Sequence, residues 1–441
     1  MNDRAILGCL IGTAVGDALG LPYEGISPRR AVKMLGPPTR FRFLFGRGMV
    51  SDDTEHTVLV AESLIESGAE AAFLEKAFAR RLKRWFLLLP AGVGLATAKA
   101  CFKLLIGISP RNSGVFSAGN GPAMRSAILG VFANDIEQVS ELVRITTRIT
   151  HTDPKAEMGA FAIALAAHCA KFGESTKPDE YLSKLRVGLR CDDSSDFLAL
   201  IQRAIESVQN NCATQQFAME LGLSKGVSGY VYHCVPVVIH CWLSHQDNFQ
   251  AAMRSIILCG GDTDTNAAMV GGILGAKGGP DSIPNDLIDG LMLCPFSMKS
   301  FQGLSAQLQS TLESGQRCQP LSPFWGFVLV RNVFFLAVVA VSEASKRSSL
   351  LGGLLASLPL VSCLGMIWLY IDTGSTEKVA DLSKSVFWLV LPSLPFFLML
   401  PFLLKKGWGF YSSLGLSTAV MIGLYYGMMV LLSKSGIENG T

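Results

Sequence analysis

The chain has 441 residues, a formal net charge of +3 at pH 7, 49% hydrophobic residues and 11 cysteines. So small a charge excludes a polyanion-binding signature, and there is no strong nucleic-acid signal. An odd number of cysteines without a repeated spacing argues against a disulfide scaffold and for a reducing compartment.

In chain order, the N-terminal stretch MNDRAILGCLIGTAVGDALG is apolar but interrupted by Asp17 and by glycines. Its early acid, in place of a basic flank, argues against a signal peptide. SDDTEHTVLV (51–60) sets hydroxyls and carboxylates ahead of apolar residues, which predicts a helix starting there. Apolar residues recur at three and four positions through 54–86 and again through 153–173, predicting further helices. Within the first, ARRLKRWF (79–86) reads as a polar helix face, and CDDSSDF (191–197) reads as a solvated turn. His233, Cys234, His240, Cys241 and His245 are zinc-type ligands, but no CxxC or HxxxH spacing joins them, so core packing is the expectation. GGDTDTNAAMVGGILGAKGG (260–279) places acids and hydroxyls ahead of a run of small residues, a helix thin enough to approach its neighbours closely. With no run of alternating β-branched residues and no internal repeat, residues 1–317 are expected to form one all-α bundle.

Mean hydropathy for the whole chain is +0.37, and the excess lies after residue 320. Four apolar segments follow, 324–343, 349–371, 386–404 and 409–432, each near the ~20 residues that cross a bilayer. Aromatic residues crowd their ends, and Arg331 sits near one end of the first. Residues 318–441 are therefore expected to be a four-helix transmembrane region, making the protein membrane-integral. Lys346, Arg347, Lys405 and Lys406 on one side balance Arg317, Lys378, Lys384 and Lys434 on the other, so charge leaves the orientation open. The cysteines and the absence of a signal peptide place the large domain in the cytoplasm.

Each acidic cluster taken singly is explained as a helix cap. A cap, however, needs one side-chain oxygen, whereas these hold Ser51, Asp52, Asp53 and Thr54, and Asp262, Thr263, Asp264 and Thr265. Brought face to face they offer hard oxygen donors, which suit Mg²⁺ or Mn²⁺ better than zinc. Two ions about 3.5–4 Å apart would relieve the repulsion among the acids.

Six motifs in order, GTAVGDALGLPYE (12–24), SDDT (51–54), GNGPAMR (119–125), HTDPKA (151–156), GVSGYVYHCVP (226–236) and the 260–279 segment, resemble those of the ADP-ribosylglycohydrolases. The resemblance implies an all-α fold with two Mg²⁺ ions, or Mn²⁺, held by Ser51, Asp52, Asp53, Asp262, Asp264 and Thr265. Ser51 stands where the family more often has threonine, and keeps the hydroxyl. SAGNGPAMR resembles the family's phosphate and ribose loop, with Gly119, Asn120, Gly121 and Arg125 at the matching positions. His151, Ser228, Gly229 and Tyr230 are the further ligand contacts it implies, Glu24 and Asp53 the catalytic acids, and Asp17 a residue that orders the loop.

The chemistry fits independently. Cleaving an ADP-ribosyl bond at the anomeric carbon needs an activated water and help for the leaving group. The expected partner is an ADP-ribosylated protein or an ADP-ribose derivative. A catalytically inactive membrane-tethered binding or scaffold protein is the alternative, and the complete set of six metal positions favours the enzyme.

Overall fold

The structure is a computed structural model. It describes residues 3–318 apart from 44–45, 69, 89, 91, 190–193 and 293–296, together with 362–363, 366, 369–370 and 375–434. The chain divides into two compact units, Met1–Asn332 and Val333–Thr441.

Glycine recurs at every fourth position of the first helix, Asp3–Gly20, so Gly8, Gly12, Gly16 and Gly20 line one face. The helix Thr263–Gly278 meets that face with Gly275, Gly271, Ala267 and Thr263, in the opposite order, so the two run antiparallel. A Cβ on Gly12 would stand 2.1 Å from the Gly271 carbonyl oxygen, and one on Gly275 would stand 2.0 Å from that of Gly8. No side chain separates the two backbones. A helical glycine costs about 1 kcal/mol relative to alanine, and close backbone packing with Cα–H···O contacts offsets it. Thr263 closes one end of the pair, its Oγ1 donating to the Gly20 carbonyl at 2.8 Å. The small residues behind Asp262 and Asp264 are thus a consequence of packing. They bring that acidic helix start to the same end of the pair as Asp17 and Glu24.

Other helices wrap this pair. Phe249–Ile257, Pro154–Ala170 and Val231–Ser244 pack on the second helix, and Met298–Ser314 and Asp52–Ser67 on the first. Pro154–Ala170 is buried along most of its length, as its run of alanines requires. Among the described residues the strands are two parallel pairs of residues, Gly48–Met49 against Leu291–Met292. The fold is all-α.

Two local expectations need correction. Arg81, in the segment read as a polar face, is buried and pairs with Glu62 at 3.1 Å and also with Glu66. Trp85 beside it is fully buried, its Nε1 donating to Glu55 at 2.6 Å. The reason is that helix Ala71–Leu87 lies on Asp52–Ser67, whose acids face it. The segment 191–197 is no simple turn, because helix Ser195–Gln209 begins inside it; residues 191–193 lie outside the described ones. In the His/Cys group, His240 is held by Thr214 at 3.2 Å and Ser207 at 3.1 Å, and Cys234 and Cys241 are fully buried.

In the second unit, helices Thr376–Val390 and Leu394–Lys405 are joined by the turn Leu391–Ser393, and Phe410–Lys434 follows. Two helical stretches among the described residues are long and apolar enough to cross a membrane: Arg4–Tyr23 and Thr376–Lys405. The first is 83% buried and is the core helix of the glycine pair; the second is 11% buried. The expected segment 386–404 lies within Thr376–Lys405, and 409–432, but for Gly409, within Phe410–Lys434. Segments 324–343 and, but for a few positions, 349–371 lie outside the described residues, Arg331 included. Four membrane helices are therefore not established.

Candidate metal centre and ligand loops

Backbone hydrogen bonds stitch the loops at one end of the glycine pair into a common floor. Gly25 donates to Gly261 at 3.0 Å, Val227 to Gly260 at 2.9 Å and Asp262 to Val227 at 2.8 Å. Asn120 donates to Gly229 at 2.9 Å, and Val231 to Ala118 at 3.0 Å. Gly260 and Gly261 have φ of +69° and +87°, which glycine adopts without strain. A Cβ on Gly229 would lie 2.8 Å from Asp262 Oδ2, so that loop reaches the acids because it lacks one.

Glu24, Asp262 and Asp264 bring their carboxylate oxygens within 4.8 Å of one another, a group able to hold a metal ion. Glu24 is exposed, Asp262 half-buried and Asp264 buried. Asn120 Nδ2 donates to Asp262 Oδ2 at 2.7 Å. The other cluster meets this one at Asp53. Its Oδ2 accepts from Ser51 Oγ at 3.1 Å and from Thr265 Oγ1 at 3.3 Å, while its Oδ1 is buried with no partner. Asp17 orders the 51–54 helix start rather than the glycine loop expected of it. It accepts from the Ser51 amide at 2.8 Å and from Thr54 Oγ1 at 2.5 Å. Asp52 is half-buried and lies under the next loop, where a Cβ on Gly92 would stand 3.4 Å from its Oδ1.

The electrostatics are those of acids packed without counter-charges. Burial, then Asp264, pushes the Asp53 carboxyl well up; burial, then Glu55, does the same to Asp52. Burial with Asp262 and Glu24 raises Asp264 to about 9, and burial with Asp262 raises Glu24. Asp17 rises only to about 6, because the hydroxyl and amide bonds it accepts oppose its burial. Oxygen donors this close, with one carboxylate oxygen bare, fit a hard divalent cation.

Arg125 requires a correction. Its side chain is fully buried and donates to the Thr146 carbonyl at 3.0 Å, Thr150 Oγ1 at 2.7 Å and His56 Nδ1 at 3.0 Å, over the Phe78 ring. It does not open onto the loop and cannot reach a phosphate there. The cause is its place at the end of the short helix Gly121–Met124, on the inward side.

Its bonds also order two imidazoles. A guanidinium only donates, so His56 Nδ1 accepts and the His56 proton is on Nε2. Thr150 Oγ1 accepts from Arg125 at 2.7 Å and lies 2.9 Å from His151 Nδ1, so it links the guanidinium to that ring. His151 Nδ1 is thereby engaged, and Nε2 is the ring nitrogen turned toward the glycine loop. That Nε2 would lie 3.3 Å from a Cβ on Gly119, and the adjacent Cε1 3.1 Å from one on Gly121, so the ring lines the glycine loop. Burial and Arg125 depress His151 to about 3, keeping it neutral.

The remaining expected residues form a rim. Ser228 is exposed and its hydroxyl is 2.9 Å from His233 Nδ1. Tyr230 is half-buried, pairs with Gly119, and accepts from Lys155 Nζ at 3.4 Å. Thr150, His56 and the Asn120–Asp262 bond join the site through the structure alone. His56 follows the acidic cluster directly in DDTEHTVLV, and that adjacency was the signal for it.

A family model described as ADP-ribosylglycohydrolase matches residues 2–315, and one described as BV97_02767-like matches residues 326–439. An uncharacterized protein of Archaeoglobus fulgidus is 33% identical over 298 residues, covering 66% of this chain and 92% of its own. ADP-ribosylhydrolase ARH3 of Gallus gallus is 29% identical over 331 residues, covering 63% of this chain and 86% of its own. A solved ADP-ribosylglycohydrolase-related protein complex shares the fold, with a TM-score of 0.52 and 23% identity over 70% of this chain and 98% of its own. Fold and site define an all-helical hydrolase with an acidic centre. The chain belongs to the ADP-ribosylglycohydrolase family.

Proposed function

We propose that this hydrolase cleaves the glycosidic bond between ADP-ribose and the protein side chain or other acceptor that carries it. The observation carrying this reading is the group of Glu24, Asp262 and Asp264 joined through Asn120 to the glycine loop 119–121. The name of the ARH3 relative, an ADP-ribosylhydrolase, supports it.

Ser51, Asp52, Asp53, Asp262, Asp264 and Thr265 are the proposed holders of two Mg²⁺ ions, with Mn²⁺ as a substitute. The bare Asp53 Oδ1 and the crowding of acids are what such ions would relieve. Bound there, they supply positive charge that orients a ribose diol and makes water more acidic. In the hydrolysis, water adds to the anomeric carbon and the acceptor leaves with a proton. Glu24 is the exposed carboxyl placed to take the first proton and return the second. Asp53 contributes by holding the cation. His151 Nε2 accepts from a hydroxyl of the sugar, and the backbone of 119–121 and 228–230 cradles the pyrophosphate. Arg125 acts through His151.

Residues 1–317 form the proposed catalytic region and 318–441 the proposed multi-pass membrane region, with the catalytic region on the cytoplasmic side. The largely exposed apolar stretch Thr376–Lys405 supports the membrane part of this reading. Protease digestion of the catalytic region from outside intact cells would invert the topology.

The enzymatic test uses the purified full chain, peptides carrying Ser-linked or Arg-linked ADP-ribose, and chromatography of released ADP-ribose. Release with Mg²⁺ or Mn²⁺ from one linkage is expected. Glu24→Gln should lower turnover by about 10²–10⁴-fold while leaving KM nearly unchanged. No release from either linkage with either ion overturns the proposal.

A further inference from the structure

The 59 residues 76–134 contain nine lysines or arginines and no aspartate or glutamate. Arg80, Arg81 and Arg111 are neutralised by acids from outside the stretch, and Arg125 is buried. Among the described residues neither Lys83 nor Lys99 has an acidic partner.

The helix Leu95–Leu105 within this stretch is apolar on both faces. Thr97, Ala100, Cys101 and Leu104 turn inward and are buried. Leu95, Phe102 and Ile106 are 71%, 59% and 61% exposed, and their spacing of seven and four places them in one outward stripe with Lys99. Leu87, 59% exposed, ends the preceding helix one turn beyond Lys83. A lone exposed leucine needs no explanation, whereas an apolar stripe interleaved with unpaired cations is the composition of helices that lie on membrane surfaces.

We propose that this face, residues 83–87 and 95–106, docks on the anionic headgroups of a lipid bilayer. The face itself is one-sided in charge: residues 83–87 and 95–106 hold cations and no acid, around side chains able to enter the headgroup boundary. The loop between the two helices carries Gly92, whose Cβ position is 3.4 Å from Asp52, so the docking face borders the acidic centre. Docking thereby holds the acidic centre close to the bilayer surface. The proposal stands apart from whether the acidic centre hydrolyses ADP-ribose.

The test places a fluorinated phenylalanine at position 102 of the full chain, reconstituted in phosphatidylcholine bilayers with and without phosphatidylglycerol. The ¹⁹F line width is read with spin-labelled lipid present. In phosphatidylglycerol bilayers the line should broaden at least about twofold, and high salt or the double change Lys83→Glu, Lys99→Glu should remove the broadening. The same label at Phe172, exposed on another helix end, should stay sharp. ADP-ribose release from a soluble peptide by the charge variant should equal that of the parent. Equal broadening in neutral bilayers, no broadening in either, or a label already shielded in detergent by protein would each overturn the proposal.

Discussion

Thr265 and Asp53 lie 212 positions apart in the chain, yet the threonine hydroxyl donates to the Asp53 carboxylate at 3.3 Å. That bond joins the two acidic helix starts, and Ser51 supplies the same oxygen from the other side. Asp53 is thus a buried acid whose neighbours are chiefly acids, and its charge is costly until a cation arrives. In metal-free protein at mildly alkaline pH, Asp53→Asn should be more stable than the parent by about 1–2 kcal/mol. Saturating Mg²⁺ should reverse the order, adding about 2.7 kcal/mol to the parent at a hundredfold excess over Kd and little to the variant. Urea unfolding with and without Mg²⁺ decides it. A parent whose stability ignores both Mg²⁺ and Mn²⁺ has no such centre.

Gly12 sits where a Cβ would strike the Gly271 carbonyl at 2.1 Å, and neither helix can move away without opening the core. Gly12→Ala should destabilise the fold by about 3 kcal/mol or more, the upper end of overpacking costs. Gly303, in the outer helix Met298–Ser314, has nothing within 4 Å of its Cβ position. Gly303→Ala should instead stabilise by about 0.4–1 kcal/mol. Similar behaviour of the two variants in urea would refute the close packing.

Arg125→Met leaves the acceptor His56 Nδ1 and the Thr146 carbonyl buried without their donor. A loss of about 2–4 kcal/mol is expected from these orphaned groups. Beyond stability, Thr150 loses its Arg125 donor, and the tautomer balance of His151 should shift in ¹⁵N spectra. KM for the ADP-ribosyl peptide should rise more than kcat falls. An unchanged His151 spectrum would mean that Arg125 is structural only.

Buried His240 has its pKa pulled down from 6.5 to about 4 by desolvation. The folded protein therefore binds this proton later than the unfolded chain, and between those values stability rises with pH and is lost on acidification. One such group contributes up to about 1.4 kcal/mol for each pH unit of the window. The raised acids work in the opposite sense, so the informative quantity is the difference between parent and His240→Gln. The variant should lose a slope of that size in urea unfolding measured across pH 4 to 6.5, and equal slopes would show that His240 does not titrate there.

The acidic ends of the site were legible in the sequence because chemistry had crowded more oxygens there than a helix cap uses. Asp17, Ser51, Asp53, Asp262 and Thr265 lie at one end of the glycine pair for that reason. The helices were legible from periodicity, and the thinness of 263–278 from its glycines. Arg125 was not. An arginine at the end of a glycine loop has one sequence appearance whether it turns outward to a phosphate or inward to Thr150, and only the packing of the short helix Gly121–Met124 decides. Arg81 failed similarly, since periodicity cannot tell a solvated cation from one facing Glu62 on a neighbouring helix. The apolar segments after residue 320 were visible as composition, which measures length and hydropathy and leaves their surroundings open.

The glycine pair also sets a clock for synthesis. Gly20 and Thr263 are 243 residues apart, so the first helix leaves the ribosome long before its partner exists. At roughly 5–20 residues per second it waits on the order of 10–50 s, with its glycine face and its apolar flanks uncovered. The acidic centre, built from both ends of that interval, comes into being only when the last part of the unit arrives. A chain stopped short of residue 263 holds Asp17, Glu24, Asp52 and Asp53 but no hydrolase. Nascent fragments therefore carry an apolar helix that stays unmatched until the chain can cover it.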